Sequence, residues 1–339
     1  RLEVAEQITK LSGWLRAPMT PIARSANRDA VRRTMREIDL VAIVVAGNEV
    51  WRLVAAHDAP QLSLVGDIGE ISESVREVAS HPEKIRAATA LGRRLLPEVV
   101  FRETSKTLHV VIDEKLAELP LAALLRGDVP LGVLRPIVRE LRLPEARCVG
   151  ARPAGRATVL NPAFGLLYAH LEAAQVAELL HTAPKIGSEA TSVALWAAAG
   201  DAVLHVAGHT VSDANEATIK LWDRDVTALE IAARAQAPSL VVLSSCSSAT
   251  SSTNNLELVD SLATGFLAAG SQHVVATLRS IDDASARVVM MAFYGAGDVS
   301  DPARALHAAQ SALWKTKNVA WPIFTVFGPD VCPSGSEPP

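Results

Sequence analysis

The amino-acid sequence predicts an α/β protein built on a mostly parallel central sheet with helices on both faces. Two observations carry that prediction. Short apolar runs, rich in β-branched residues and bounded by small or polar ones, read as central strands: Ala202-Val203-Leu204-His205-Val206-Ala207-Gly208-His209, Leu240-Val241-Val242-Leu243-Ser244-Ser245-Cys246, and residues 273–278. Segments of helix length separate these runs, as parallel strands require of their crossover connections. A third observation concerns chemistry: the first two runs end in reactive side chains, His209 and Cys246. Parallel sheets collect their chemistry at the carboxyl ends of strands. If these two strands are neighbours, an imidazole faces a thiol across one crevice.

Taken in order, residues 1–36 read as amphipathic helix, with Leu2, Ile8, Leu11 and Leu15 interrupted by Pro18 and Pro21. They fit the tail of an upstream helical region. Residues 40–46 and 50–55 form a hairpin signal around Gly47-Asn48. Residues 71–96 have helical period and stop before Pro97, residues 108–113 are a buried strand, and Pro120 opens a short helix. Around residues 144–156 the composition shifts to Pro, Gly, Ala and Arg. That shift divides the chain into a first α/β half, residues 37–150, and a second, residues 151–329.

The second half alternates more regularly. A strand at 157–160 precedes a helix at 171–180, and Ser188 caps a helix running through Ala199 to Gly200. After the His strand come a polar segment, 210–224, and a short helix near 227–235. After the Cys strand, a Ser/Thr/Asn loop at 247–255 leads to a helix at 257–269 with Leu258, Leu262 and Phe266 on one stripe. A helix at 284–294 follows the 273–278 strand, Asp301-Pro302 opens the last helix, and residues 322–327 close the sheet. Residues 330–339 read as a disordered tail.

Composition narrows the function. The chain has 339 residues, 49% of them hydrophobic, enough for one large or two ordinary domains. A net charge of −4 and no basic block give no case for direct nucleic-acid contact. No apolar stretch approaches the roughly 18 residues of a membrane span, and the charged start (Arg1-Leu2-Glu3-Val4) is not a signal peptide. Three widely separated cysteines make no disulfide framework. A cytoplasmic, reducing setting is therefore expected, and it keeps Cys246 as a thiol. With no initiating Met, the sequence reads as one part of a longer polypeptide.

Each reactive residue has a bland reading beside the chemical one. A buried strand-terminal cysteine is usually a small hydrophobe, but small polar neighbours on both sides of Cys246 leave its sulfur accessible. Cys148 and Cys332 lack such surroundings and read as incidental. A lone histidine is more often structural than catalytic, and His205 with His209 could be taken for a metal pair. Four strand residues span about 13 Å, however, too far to share one zinc, and no H-E-x-x-H pattern is present. No metal and no cofactor are expected. His205 reads as a core or supporting residue, whereas His209, after Gly208, sits where the strand leaves the sheet. An imidazole beside a thiol raises its thiolate share or takes its proton during attack, which suits acyl transfer and most simply peptide hydrolysis.

The segment His205-Val206-Ala207-Gly208-His209-Thr210 resembles the HFAGHG motif of the CHAT family, caspase-like peptidases often fused to TPR repeats. Leu243-Ser244-Ser245-Cys246-Ser247-Ser248-Ala249 is similar to that family's LSxC-x-x-A block. Phe266-Leu267-Ala268-Ala269-Gly270 followed by Val274-Val275-Ala276-Thr277-Leu278-Arg279-Ser280-Ile281-Asp282-Asp283 resembles its FLxAG…VVASLWxVDD block, and residues 108–124 its first-half pattern. The resemblance implies a caspase-like three-layer α/β/α sandwich preceded by an inactive pseudo-caspase-like half. It implies a His–Cys dyad carried by His209 and Cys246, with oxyanion donors at the backbone N–H groups of Thr210 and Cys246. It also implies a protein substrate and restraint by a helical or TPR module. Similarity to separase assigns an acid of the S1 pocket to this last block, where Asp283 fits better than Asp282; both also read as caps of the helix that follows. Asp213, Glu216 and Asp223 either line the groove or belong to a solvated loop.

Three departures stand out. Thr210 replaces the glycine after the histidine, Arg279 replaces the family's tryptophan, and Ser244 stands two before the cysteine where metacaspase-like enzymes carry an acid. The expectation is a cysteine endopeptidase. A catalytically weak CHAT scaffold for protein–protein interaction is the alternative, and a small-molecule cysteine hydrolase the third class.

Overall fold

The computed structural model describes residues 38–55, 60–141, 155–162, 165–212, 217–244, 261–316, 318 and 320–328. The amphipathic segment at 1–36, most of the compositional boundary at 144–156, Cys246 with its polar loop, and the tail at 330–339 lie outside them.

The first half opens on an antiparallel meander, β1 (Asp39–Ala46), β2 (Glu49–Ala55) and β3 (Gln61–Asp67). Helices α1 (Ile68–Ser80) and α2 (Ile85–Leu95) follow, then β4 (Leu108–Ile112), α3 (Leu131–Leu134) and β5 (Ile137–Glu140). The helical stretch expected at 71–96 is thus two helices. The break falls at His81-Pro82, where a proline cannot continue the backbone ladder. Asp67 starts α1 by accepting from the N–H groups of Gly69 and Glu70. Around Pro120 the chain makes only a 3-10 turn, Leu121–Ala123.

The second half runs β6 (Ala157–Asn161), α4 (Leu167–Leu179), β7 (Lys185–Ile186), α5 (Ser192–Ala197), β8 (Val203–Ala207), β9 (Thr210–Ser212), β10 (Ala217–Lys220) and β11 (Asp225–Thr227). It continues through α6 (Ala228–Ala232), β12 (Leu240–Ser244), α7 (Leu262–Ala268), β13 (His273–Thr277), α8 (Asp283–Gly295), α9 (Pro302–Leu313) and β14 (Phe324–Phe327). The cap expected at Ser188 is instead Thr191, whose hydroxyl accepts from Ala194 N; the stretch around Ser188 is a 3-10 turn. The polar segment 210–224 is strand at residues 210–212 and 217–220. Its described residues contribute β9 and β10, which with β11 form a three-stranded antiparallel sheet. Asp301 caps α9 with Pro302 at its first turn, as read from the sequence.

One sheet of eleven described strands crosses both halves in the order β3-β2-β1-β4-β5-β14-β13-β12-β8-β6-β7. Strands β1, β4, β5 and β14 are parallel to one another, as are β13, β12, β8, β6 and β7. The two blocks meet antiparallel at β13 and β14. The carboxyl ends of β6, β8, β12 and β13 therefore share one edge. On one face α4, α8 and α9 pack against Val159, Val203, Ala207, Val242 and Val275. On the other, α5, α6, α7 and the small sheet cover Leu204, Val206, Val241 and Leu243. Helices on both faces and alternate burial make an α/β/α sandwich. Each fully buried Val or Leu of these strands contributes roughly 1.5–3 kcal/mol. Among the described residues no helix is long and apolar enough to cross a membrane.

Two stability predictions follow from contacts outside the site. A methyl group on Gly92, inside α2, would fall on the carbonyl oxygen of Leu125. Gly92→Ala gains about 1 kcal/mol of helix propensity, but backbone displacement is expected to cost about 2–3 kcal/mol. Thermal unfolding should therefore show a lower midpoint. Asp39 is buried beside Arg135 and Lys106. Burial opposes its ionisation, yet hydrogen bonds and charge from both cations outweigh that and hold its carboxyl below the usual range. A depressed carboxyl stabilises the fold above its unfolded pKa and loses that contribution as pH falls through the folded value. Urea midpoints of Asp39→Asn should accordingly fall less steeply than wild type below about pH 4.

Candidate active site

The site rests on two neighbouring strands. β8 and β12 pair in parallel, with His205 opposite Val242 and Ala207 opposite Ser244. Both are buried throughout, because Val203-Leu204-His205-Val206-Ala207 and Leu240-Val241-Val242-Leu243-Ser244 present apolar groups to both helical layers. His209 and Cys246 each follow the last pair, Ala207 and Ser244, by two residues in sequence. The condition posed by the sequence, that the two strands be neighbours, is met. The sulfur itself lies outside the described residues.

His209 is half-buried. Its carbonyl accepts from Lys220 N at 3.0 Å, which ties the residue to β10. Thr210 opposite Ile219 is then a non-hydrogen-bonded pair of the β9–β10 ladder, so the Thr210 N–H is turned away from β10. The Thr210 residue is buried, and its strand conformation suits a β-branched residue. Gly208 is held close to the neighbouring strand end: a Cβ there would stand 3.1 Å from Pro162 Cδ.

Beneath this edge lies a polar cluster in the core. His205 is fully buried, its Nε2 3.0 Å from Glu172 Oε1 on α4 and its Nδ1 3.2 Å from the Tyr294 hydroxyl on α8. The His205 and Tyr294 rings meet edge to face at 5.6 Å. Both nitrogens of His205 are engaged in binding the two helices to β8, which is the core role read for it.

The acidic candidates separate by what they bind. Asp282 is the N-cap of α8, its Oδ1 accepting from Ser285 N at 2.8 Å. Partial burial pushes its carboxyl up, but the Ser285 hydrogen bonds prevail and hold it below the ordinary value. Asp283 is half-buried and its Oδ2 accepts from Tyr168 N at 3.1 Å, in the first turn of α4. It thus joins the amino ends of α4 and α8 at the edge where β6, β8, β12 and β13 terminate. Asp223 accepts from Ser192 N at 2.8 Å and from Ser192 Oγ at 2.6 Å, fixing the start of α5. Asp213 and Glu216 lie outside the described residues. Arg279, just past β13, is half-buried and donates to Ser280 O at 3.2 Å. Burial lowers the pKa of its guanidinium, against the opposing charge of Glu83.

Three residues beside the site escaped the sequence reading. Glu172 and Tyr294 sit in helices whose other residues gave no sign of a buried acid. Asn161 ends β6 and donates from Nδ2 to Ala207 O at 2.7 Å. An amide directly before Pro162, at the end of a buried run, was the one available signal.

The CHAT domain family model matches residues 86–329, well over half of the chain. The chain belongs to the CHAT domain family. No curated protein matches this CHAT chain. Among solved structures, the Saccharomyces cerevisiae separase–securin complex at 2.6 Å matches it with a TM-score of 0.62 and 9% identity, over 90% of this chain and 31% of that chain. A 3.0 Å structure of the same complex gives 0.59 and 10% over the same shares. An Arg-specific cysteine proteinase, gingipain R, aligns at 0.49 and 12%, over 92% of this chain and 79% of that one. The CHAT chain thus spans under a third of the separase-complex chain it matches, and what it shares at this identity is the caspase-like fold.

Proposed function

We propose that this CHAT domain is a caspase-like cysteine endopeptidase acting on a protein substrate. Cys246 is the nucleophile and His209 the general base. The observation that carries the reading is the parallel pairing of β8 with β12, in which Ala207 and Ser244 are opposed two residues before His209 and Cys246 in sequence. From such positions His209 takes the thiol proton as sulfur attacks a peptide carbonyl, and later returns a proton to the leaving amine. The Thr210 N–H, turned from β10, and that of Cys246 are the proposed oxyanion donors. Asp283 is the proposed acid of the S1 pocket, because it lies at the same edge of the sheet between the starts of α4 and α8. An upstream or partner helical module restrains the enzyme in a cytoplasmic setting.

A catalytically inactive scaffold is the second reading, favoured by the buried Thr210 where the resemblance has glycine. A library of internally quenched peptides separates the two. Cleavage within the peptides, with a defined preference on the acyl side, supports the endopeptidase. No turnover of any member, together with a Cys246 inert to alkylation, leaves the scaffold.

A further inference from the structure

The sheet of the first half has two apolar faces. On one, Val41, Ile43 and Val110 of β1 and β4 pack against α1 and α2. On the other, Leu40, Ala42, Leu53, Ala55 and Val111 form a second cluster. Among the described residues that cluster contains no helix: it is completed only by Ile38, just before β1, and by half-buried Leu62 of β3. A sheet face that meets water carries polar side chains. These five are apolar and only 0–2% exposed. Side chains standing side by side on one sheet do not bury each other to that degree, so a further layer covers them. The cover fades toward the edge strand, where Leu64 of β3, on the same face, is 52% exposed.

We infer that this face is the docking site of the chain's own amino-terminal segment, residues 1–36. The segment leads through residue 37 into Ile38, which already belongs to the cluster. Its Val4, Ile8, Leu11 and Leu15 recur at i, i+4, i+7 and i+11, the single apolar stripe of a helix. A helix over residues 1–17, ahead of Pro18, is about 25 Å long, which matches the roughly 26 Å of the eight-residue β1. The other segments outside the described residues are committed elsewhere or lack the side chains. Residues 56–59 only join β2 to β3. Residues 142–154 lead from β5 to β6, five places along the sheet and away from β1, roughly 24 Å at the usual strand spacing. Residues 329–339 offer one valine and one cysteine among prolines and polar residues, and the remaining segments belong to the second half. Charge agrees: residues 1–36 carry eight Lys or Arg against three Asp or Glu in a chain of net charge −4, so the segment is attracted to the acidic remainder. The segment is then a layer of this domain, where the sequence alone reads it as the tail of an upstream region. The inference is independent of the proposed reaction.

The test places a thiol in the middle of the face and asks what protects it. Val111→Cys, a small apolar replacement, is made in the full chain, and its alkylation by iodoacetamide is followed by peptide mapping, which separates it from Cys148, Cys246 and Cys332. Slow labelling is expected. Adding Leu11→Asp with Leu15→Asp, on the apolar stripe, should raise the rate at least about 10-fold by opening the layer. Adding Thr9→Asp with Ala17→Asp instead, which lie on the opposite side of the same helical stretch, should leave it within about twofold. Should the stripe aspartates prevent folding, Leu11→Ala with Leu15→Ala is the substitute, with a rise of about threefold or more and a lower unfolding midpoint. A thiol equally protected in the stripe variants and the parent would overturn the inference, since something else then covers the face. Protection that falls on dilution would overturn it too, in favour of a second copy of the chain. Fast labelling in the parent would do so by showing an open face. Loss of peptide turnover or an unreactive Cys246 bears only on the proposed dyad and leaves these rates to be read as they stand.

Discussion

Cys246→Ala is expected to lower peptide cleavage by at least about 10³-fold while the fold persists. Alanine removes the one atom the proposed reaction bonds to, and no neighbouring serine replaces a thiolate: hydroxyls at Ser245 or Ser247 remain protonated at neutral pH, whereas a thiol of ordinary pKa is already a few per cent ionised. The sheet should be indifferent to the change. β12 ends at Ser244, and the apolar contacts that hold it come from residues 240–243, buried between two helical layers. Equal far-UV circular dichroism and unfolding midpoints, with turnover at background, are therefore anticipated. Undiminished cleavage by the alanine variant would eliminate the mechanism.

Glu172→Ala is expected to produce the largest loss of stability, about 3 kcal/mol or more. The truncation leaves the fully buried His205 without its Nε2 partner and opens a gap between α4 and β8. An orphaned polar group and a cavity act in the same direction. For a domain of this size each kcal/mol lowers the midpoint by about 2–4 °C, so calorimetry should record a fall of roughly 6–12 °C. Tyr294→Phe removes one hydroxyl and leaves both rings packed, so it should cost no more than about 1 kcal/mol. A small effect of Glu172→Ala, comparable with that of Tyr294→Phe, would mean that the cluster does not bind α4 to the sheet.

The strands that define the site were legible because they are buried on both faces. Residues 240–244 and 203–207 need no alternation, and a continuous apolar run bounded by small residues identifies them. Strand β3 escaped because Gln61–Asp67 is largely exposed or half-exposed and its alternation, Gln61-Leu62-Ser63-Leu64, breaks after four residues. Strand β5 escaped because two of its four residues are charged. Arg139 is nevertheless buried, donating to Ala117 O and lying 5.4 Å over the Phe327 ring, and Glu140 is buried against His109 at 2.8 Å. Such partners come from distant parts of the chain, so local sequence is silent about them. The small sheet β9-β10-β11 was hidden for a related reason: its residues read only as a polar segment leading into a helix, while Ile219 and Val226 bury one face against α6 and α7.

The candidate site divides in the same way. His209 and Cys246 were legible from their places at the ends of apolar runs, a one-dimensional signal. The hydrogen bonds of Asn161, Glu172 and Asp283 were not, since each joins residues between 33 and 115 positions apart. The division of labour between Asp282 and Asp283 also needed the fold. Only the packing of α8 beside α4 distinguishes a carboxylate that caps its own helix from one that binds the next.

The pairing of thiol and imidazole is tested most directly by the rate of Cys246 alkylation against pH, measured in the wild type and in His209→Ala. The wild-type thiol should react with an apparent pKa well below the ordinary value of about 8.5, and the variant should return to it. Superimposable profiles in the two proteins would contradict the account, because a sulfur indifferent to residue 209 has no imidazole beside it.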